Sequence, residues 1–159
     1  MADDSRFEDG DARPLRLRAL DSNDLGVIAA LVQDAVFPAS EMKWDCRRRR
    51  FALLLNRFRW EDKSAAEQRG RGFERVQSVL AIEDVQSVAS QGVVRGEAQT
   101  IHSLLTLEFE PSVDGAGMLL LTLAGDGAIR ISVEALEITL KDVTRPYIAP
   151  SGKVPGHPE

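Results

Sequence analysis

The sequence predicts one α+β domain, built as a largely antiparallel sheet of about eight or nine strands with two helices on one face. Three observations lead to this prediction. The chain has 159 residues, 43% of them hydrophobic, which is enough to bury a single core. Several runs alternate apolar and polar residues, as half-buried strands do, and two segments have helical spacing instead. Two helices leave much of such a sheet uncovered, so we expect it to curl into a partial barrel or to pair with a second copy, as a homodimer.

The first predicted elements are a strand and a helix. Leucine alternates with arginine over residues 15–20, which predicts a strand with one face in water. Asp21 is the predicted N-cap of the helix, and apolar residues then recur at helical spacing until Pro38. The helix is therefore predicted over residues 22–37.

Extended segments occupy the middle of the chain. Strand patterns cover residues 42–46, 49–60, 73–82 and 85–90. Residues 61–72 are rich in small and charged side chains, and a connection of that length is typical of a functional or a disordered loop.

A second helix is predicted over residues 97–104, because Ile101, Leu104 and Leu105 fall on one side of it. Four further strands are predicted over residues 105–110, 117–124, 127–134 and 136–142. Each half of the chain then consists of one helix followed by four strands, and two explanations stay open. Either one α-β-β-β-β unit is duplicated, or two apolar strands resemble each other by chance.

The folded domain is expected over residues 14–143, between two tails. Residues 1–13 are acidic and almost without large apolar side chains, which predicts a disordered tail. Residues 144–159 hold four of the seven prolines, and proline prevents both helix and inner strand, so this end is predicted to be an extended tail.

Composition excludes several classes of protein. One cysteine excludes an internal disulfide framework, and the lack of a long apolar run argues against a membrane span. No secretory signal is visible at the N-terminus, so the cytoplasm is the expected location. The net charge of −5 makes nucleic acid an improbable partner. This total hides a division, because residues 41–75 carry a net +5 and residues 76–142 a net −7.

The basic segment supplies the candidate site. Four arginines are predicted to bind an anion, because guanidinium forks hold carboxylate or phosphate in bidentate fashion: Arg49, Arg57, Arg59 and Arg75. Two tryptophans are predicted to form an aromatic surface: Trp44 and Trp60. In an unbroken strand Arg57 would share a face with the apolar Leu55, so a β-bulge near Asn56 is suspected. The alternative is that Arg57 and Arg59 form ion pairs within the sheet, with carboxylates such as Glu83, Glu108 or Glu110.

Signatures of known chemistry are missing from the sequence. The two histidines and the cysteine have no metal-binding spacing, so no metal site is predicted. Glycine-rich nucleotide motifs and a nucleophile elbow are also missing, so no cofactor is predicted. Whether the protein is an enzyme stays undecided.

A resemblance accompanies these patterns. The stretch Asn56–Glu61 (NRFRWE), the preceding Gln33–Ala35 and the later Gly127–Arg130 resemble a small bacterial family catalogued as a domain of unknown function. The resemblance covers nearly the whole chain and implies a stand-alone cytoplasmic protein. It brings no catalytic residue, substrate or cofactor.

Two functions therefore stay open. The first is a non-catalytic binding module with an acidic protein as its partner. The alternative is an enzyme or binder of an anionic small molecule, a phosphate or carboxylate, which uses the arginine-rich residues 47–75.

Overall fold

The computed structural model describes residues 14–62, 74–93 and 97–148. These ranges hold eleven strands, one α-helix and two short 3₁₀ helices, at Ala39–Glu41 and Trp60–Asp62. The helix is α1 (Ser22–Leu31). The strands are β1 (Arg16–Ala19), β2 (Val36–Pro38), β3 (Met42–Asp45), β4 (Arg50–Phe58), β5 (Glu74–Ile82), β6 (Val85–Gln91), β7 (Ile101–Pro111), β8 (Gly117–Leu123), β9 (Ala128–Val133), β10 (Ile138–Asp142) and β11 (Tyr147–Ile148).

Helix α1 is capped as predicted but ends early. The Asp21 side chain accepts a hydrogen bond from the Asp24 backbone N–H at 2.8 Å. The predicted end at residue 37 is wrong, because Asp34 adopts a left-handed φ of 63° and its N–H donates to the Leu104 carbonyl on β7. The chain leaves the helix there and continues into the sheet as β2.

The strands form one sheet of antiparallel pairs. Its order is β1-β10-β5-β4-β2-β7-β8-β9-β6, with β3 also pairing β4 and β11 also pairing β5. Within the described ranges β1 and β6 are the two ends of this order and do not pair with each other. The sheet is therefore not a closed barrel.

The predicted second helix at residues 97–104 is wrong. Thr100 closes a turn onto Glu97, and the chain then enters the long strand β7. His102 and Leu104 are buried on this strand, but its register against β8 shifts between Leu104 and Thr106. Ile101 is 61% exposed and lies on the opposite face, and it pairs with Pro38 of β2, so the apolar spacing from Ile101 to Leu104 does not mark one face of a helix.

The predicted fold class must be corrected in three respects. The described chain is mostly β-sheet with a single α-helix, its sheet is open, and the helix that would begin a second α-β-β-β-β unit does not exist. Residues 1–13 and 149–159 of the expected tails lie outside the described residues. The nearer part of the C-terminal tail contains β11, which pairs with β5.

The core lies on one face of the curved sheet. Both halves of the sheet contribute to one apolar cluster, and α1 adds Leu25, Ile28 and Val32 to it. On β4 the apolar residues of the core face, Phe51, Leu53 and Leu55, are buried, whereas Ala52, Leu54 and Asn56 between and after them are half-buried on the outer face. None of the helices in the described ranges has the length and hydrophobicity needed to cross a bilayer.

Candidate functional site

The candidate site is organised by the long hairpin of β4 and β5. Their register runs without a shift from Phe51 opposite Ile82 to Phe58 opposite Arg75, so the suspected bulge near Asn56 is not there. Alternation along β4 therefore places Arg57 on the core face, in line with Leu53 and Leu55. Asn56 and Phe58 belong to the opposite, outer face.

Arg57 is a fully buried cation held by two carboxylates. Its Nη2 donates to Asp142 Oδ1 at 3.0 Å and to Glu61 Oε2 at 3.0 Å, and its Nη1 donates to Glu61 Oε1 at 3.0 Å. Nε donates to the Ser78 hydroxyl at 3.0 Å, and Nη1 also reaches the Phe58 carbonyl at 3.1 Å. All three guanidinium nitrogens are thus engaged within the fold.

The partner carboxylate of Asp142 is equally well satisfied. It accepts from Arg57, from the Ser78 hydroxyl at 2.6 Å and from the Leu15 backbone N–H at 2.9 Å. Its own backbone N–H donates to the Leu15 carbonyl at 2.9 Å. A buried ion pair is tolerable only when its remaining donors and acceptors are bonded in this way.

The surroundings of Arg57 favour its charged form. Burial is the largest single influence and by itself lowers the pKa of the guanidinium, but the hydrogen bond and charge of Glu61 and the charge of Asp142 outweigh it, so the pKa lies above its ordinary value. Arg57 and Asp142 therefore form a structural ion pair, which the Ser78 hydroxyl bridges. The three residues join β4, β5 and β10 across the core face.

Arg59 is buried beside this cluster. Its Nη1 donates to Glu74, and its Nε lies 3.9 Å from Glu61. Arg57 and Arg59 thus form ion pairs within the fold, which is the alternative considered from the sequence. Their partners are not the carboxylates named there. Of those three carboxylates, Glu83 instead accepts from Arg50 at 2.8 Å.

Arg49 and Trp44 lie at the other end of β4. Arg49 has a left-handed φ of 55°, and its Nη2 donates to Glu134 at 3.2 Å. Trp44 lies on β3 opposite Phe51 and is 38% exposed. The structure therefore divides the predicted residues between the two ends of the hairpin and brings only Arg57, Arg59, Arg75 and Trp60 to one end.

Arg75 lies on the outer face and has a different environment. Its Nε donates to Asn56 Oδ1 at 2.8 Å and its Nη2 to the Asn56 carbonyl at 3.3 Å. Its guanidinium carbon stacks 4.0 Å from the centroid of the Phe58 ring. The Asn56 amide nitrogen in turn donates to the Tyr147 hydroxyl at 2.6 Å.

No carboxylate within the described ranges forms an ion pair with Arg75, and its Nη1 has no hydrogen-bond partner there. The side chain is half-buried, and this burial lowers the pKa of the guanidinium, an effect that Tyr147 opposes only in part. Other arginines that lack a carboxylate among the described residues are exposed, such as Arg47 and Arg130. Arg75 thus combines partial burial with a charge that no carboxylate of the described chain compensates.

A cavity of about 250 Å³ opens on the same outer face. Its walls are mainly apolar, with Asn56, Gln77 and Glu41 as the polar side chains. The apolar part of the lining comes from Val36, Phe37, Pro38, Leu54, Leu55 and Ile101. Asn56 lines the cavity and also binds Arg75, so the guanidinium lies next to the cavity rim.

Trp60 closes this end of the hairpin. Its indole N–H donates to the Gln33 carbonyl at 3.0 Å, and its ring lies 5.6 Å from that of Phe58. The ring therefore anchors the end of β4 to the segment after α1 and supports Phe58 beneath Arg75. It is half-buried, which leaves only part of it as aromatic surface.

Comparison with known proteins identifies a family. A family model described as a protein of unknown function, DUF2948, matches residues 15–157. The chain belongs to this family. The sequence-based resemblance to a domain of unknown function is thereby confirmed. Neither the curated proteins nor the solved structures gave a match to the chain.

Several residues of the site are not predicted from the sequence, among them Glu61 and Glu74, which bind Arg57 and Arg59. Ser78 and Asp142 do carry a signal, because both interrupt an apolar alternation, as Arg57 does on β4. Three polar residues at core positions of three strands are a signal for a buried polar cluster. Asn56 and Tyr147 carried no such signal, because their contact joins positions 91 residues apart.

Proposed function

We infer that this member of the DUF2948 family is a non-catalytic, cytoplasmic binding module that recognises the acid group of a small ligand through Arg75. The observation that carries this proposal is the half-buried guanidinium without a carboxylate partner among the described residues. A single exposed thiol, Cys46, suits a reducing compartment.

The charge of Arg75 supports an anionic ligand. Partial burial without a counter-ion costs free energy, and a bound anion would recover it. Nη1 has no hydrogen-bond partner among the described residues, and with the neighbouring Nη2 it forms a fork that suits carboxylate or phosphate oxygens. The same argument does not apply to Arg57 or Arg59, since carboxylates of the fold already bind them.

The cavity supports a ligand that has an apolar body. Its walls of Val36, Leu54 and Ile101 suit an aliphatic chain, and small-molecule sites are typically apolar with a few placed polar groups. A ligand whose carboxylate binds Arg75 and whose aliphatic chain crosses Asn56 and lies over Leu54 would use both the guanidinium and the apolar cavity. We therefore favour an aliphatic carboxylate over inorganic phosphate.

The test is calorimetric titration of the full chain with straight-chain monocarboxylates from acetate to octanoate, and with inorganic phosphate. We expect affinity to rise with chain length, since each buried CH₂ contributes about 0.8 kcal/mol. Arg75→Gln should abolish binding. Arg18→Gln, which removes an exposed arginine paired with Glu137, is the matched control and should leave binding unchanged.

Two results would reject the proposal. One is equal binding by the wild type and Arg75→Gln. The other is the lack of any heat of binding for the whole series at millimolar ligand. If phosphate binds with the same affinity as octanoate, Arg75 is still the anion site, but the cavity does not contribute to binding.

A further inference from the structure

The two ends of the sheet differ in how they are protected. Strand β1 has four residues, of which Arg16 and Arg18 are charged, and Arg18 pairs with Glu137 at 3.0 Å. Strand β6 has seven residues without a charge or a proline. Charged residues, prolines and short length are the usual means of preventing an edge strand from pairing with another chain. Of these, β6 has none.

The free edge of β6 is also uncovered. The strand pairs with β9 with a register shift between Val85 and Ser87, and the register is regular from Ser87 to Gln91, so the irregularity is confined to the start of the strand. On its other side the Val85 N–H donates to the Arg49 carbonyl at 2.9 Å, and from Ser87 to Gln91 no described backbone group bonds to that edge. The side chains of Ser87, Ala89 and Ser90 are exposed, so nothing in the described chain lies over this part of the strand.

We propose that β6 pairs antiparallel with β6 of a second copy of this chain and extends the sheet across a two-fold axis. In such an isologous interface each strand meets itself, so a charged strand would meet its own charge. β6 is neutral along all seven residues and meets no such repulsion. Of the other strands with an unpaired edge in the described ranges, β1 and β3 carry two charged residues each, and β11 has only two residues.

The geometry of a two-fold pair defines the test. Ser87 and Ala89 lie opposite Ser132 and Arg130 of β9, on the face away from the buried Ile131. Directly opposed residues of an antiparallel pair share a face, so these two positions must meet outward-facing positions of the second copy. Identical charges placed at both positions would therefore oppose each other across the axis.

The experiment compares the full-length wild type with two charge variants by sedimentation velocity over a range of concentrations. The wild type should be a dimer that dissociates on dilution. Ser87→Glu/Ala89→Glu and Ser87→Lys/Ala89→Lys should each weaken the dimer about tenfold or more, because like charges then oppose each other. A one-to-one mixture of the two variants should regain dimers, with one copy of each, which native mass spectrometry identifies.

The matched control is Val27→Glu/Val113→Glu, which adds two carboxylates at positions 54% and 76% exposed and away from β6. It should dimerise like the wild type. Circular dichroism checks each fold. Position 89 lies opposite Arg130, so Ala89→Lys places two cations side by side and that variant could unfold. Ala89→Glu instead places a carboxylate beside Arg130. If the lysine variant unfolds, the comparison of the glutamate variant with the control is the test.

Three results would overturn the proposal. They are a wild type that stays monomeric at every concentration, a folded glutamate variant that dimerises as tightly as the wild type, and two folded charge variants that do not associate when mixed. With the first result, the unpaired edge of β6 could bind only a strand of a different protein. With the second result, the dimer interface would lie elsewhere on the molecule.

Discussion

Two arginines on opposite faces of the same hairpin have opposite environments. Arg57 faces the core, is fully buried and is held by Asp142 and Glu61. Arg75 faces outward, is half-buried and is bound by Asn56, whose amide is neutral. The core position has its counter-ions within the fold, because an unpaired charge there would be strongly destabilising. The outer position has none among the described residues, which is the basis for proposing that its charge binds a ligand.

The different environments also move the two pKa values in opposite directions. Burial acts on both guanidinium groups and lowers the pKa of each. In Arg57 the two carboxylates reverse this effect, whereas in Arg75 no carboxylate of the described residues does so. The partners, more than the depth of burial, therefore decide whether an arginine in this sheet is structural.

The largest expected effect is the loss of Arg57. In Arg57→Met, Asp142 would stay buried without its cation, which should lower the free energy of unfolding by about 3–5 kcal/mol. Urea denaturation monitored by tryptophan fluorescence measures this change. Arg57→Met/Asp142→Leu removes both buried charges and should recover most of the loss. If the single variant is as stable as the wild type, Arg57 is not a structural residue.

A smaller effect is expected at Ser78. Its hydroxyl bridges Arg57 and Asp142, and Ser78→Ala leaves both ions with one hydrogen bond fewer. The free energy of unfolding should fall by about 1–3 kcal/mol, measured in the same denaturation experiment. Ser132→Ala, a half-buried serine of β9, is the control and should cost less. Equal costs would mean that the bridging hydroxyl is not important.

The smallest effect on stability is expected at Arg75. Arg75→Gln removes the stacking on Phe58, which should cost only about 0.5–1 kcal/mol at a partly exposed site. Thermal unfolding without ligand measures this cost. A loss comparable with that of Arg57→Met would show that Arg75 is a structural residue too, and the contrast between the two faces would disappear.

Part of the fold could be predicted from local pattern. The alternation of β4 placed Arg57 and Phe58 on opposite faces, and Asp21 was recognised as a cap because capping depends on neighbouring residues. The helix predicted over residues 97–104 was wrong because Ile101, which was counted on its apolar side, is exposed, and because the pairing of residues 101–103 with β2 cannot be seen from spacing alone.

The partners of the arginines could not be predicted in the same way. Asp142 approaches Arg57 because β10 pairs with β5, a contact set by sheet order and not by sequence spacing. The carboxylates predicted from the sequence all lie in the second half of the chain, whereas of the partners found only Asp142 does. Glu61 and Glu74 are close to the arginines in sequence. The sequence allows internal ion pairs of Arg57 and Arg59 as an alternative. The proposed role of Arg75 depends on the face of the sheet it occupies and on its neighbours, which the sequence does not show.

The most direct measurement is the ligand affinity of Asn56→Asp, which gives Arg75 the carboxylate that Arg57 already has. The substitution keeps the shape of the side chain that binds Arg75 and Tyr147, so the free energy of unfolding should stay within about 1 kcal/mol of the wild type. Asn23→Asp, at an exposed position of α1, adds the same charge elsewhere and is the control. Calorimetry should show that Asn56→Asp no longer binds octanoate, whereas Asn23→Asp binds it like the wild type. Undiminished binding by Asn56→Asp would contradict the assignment of Arg75 as the anion site.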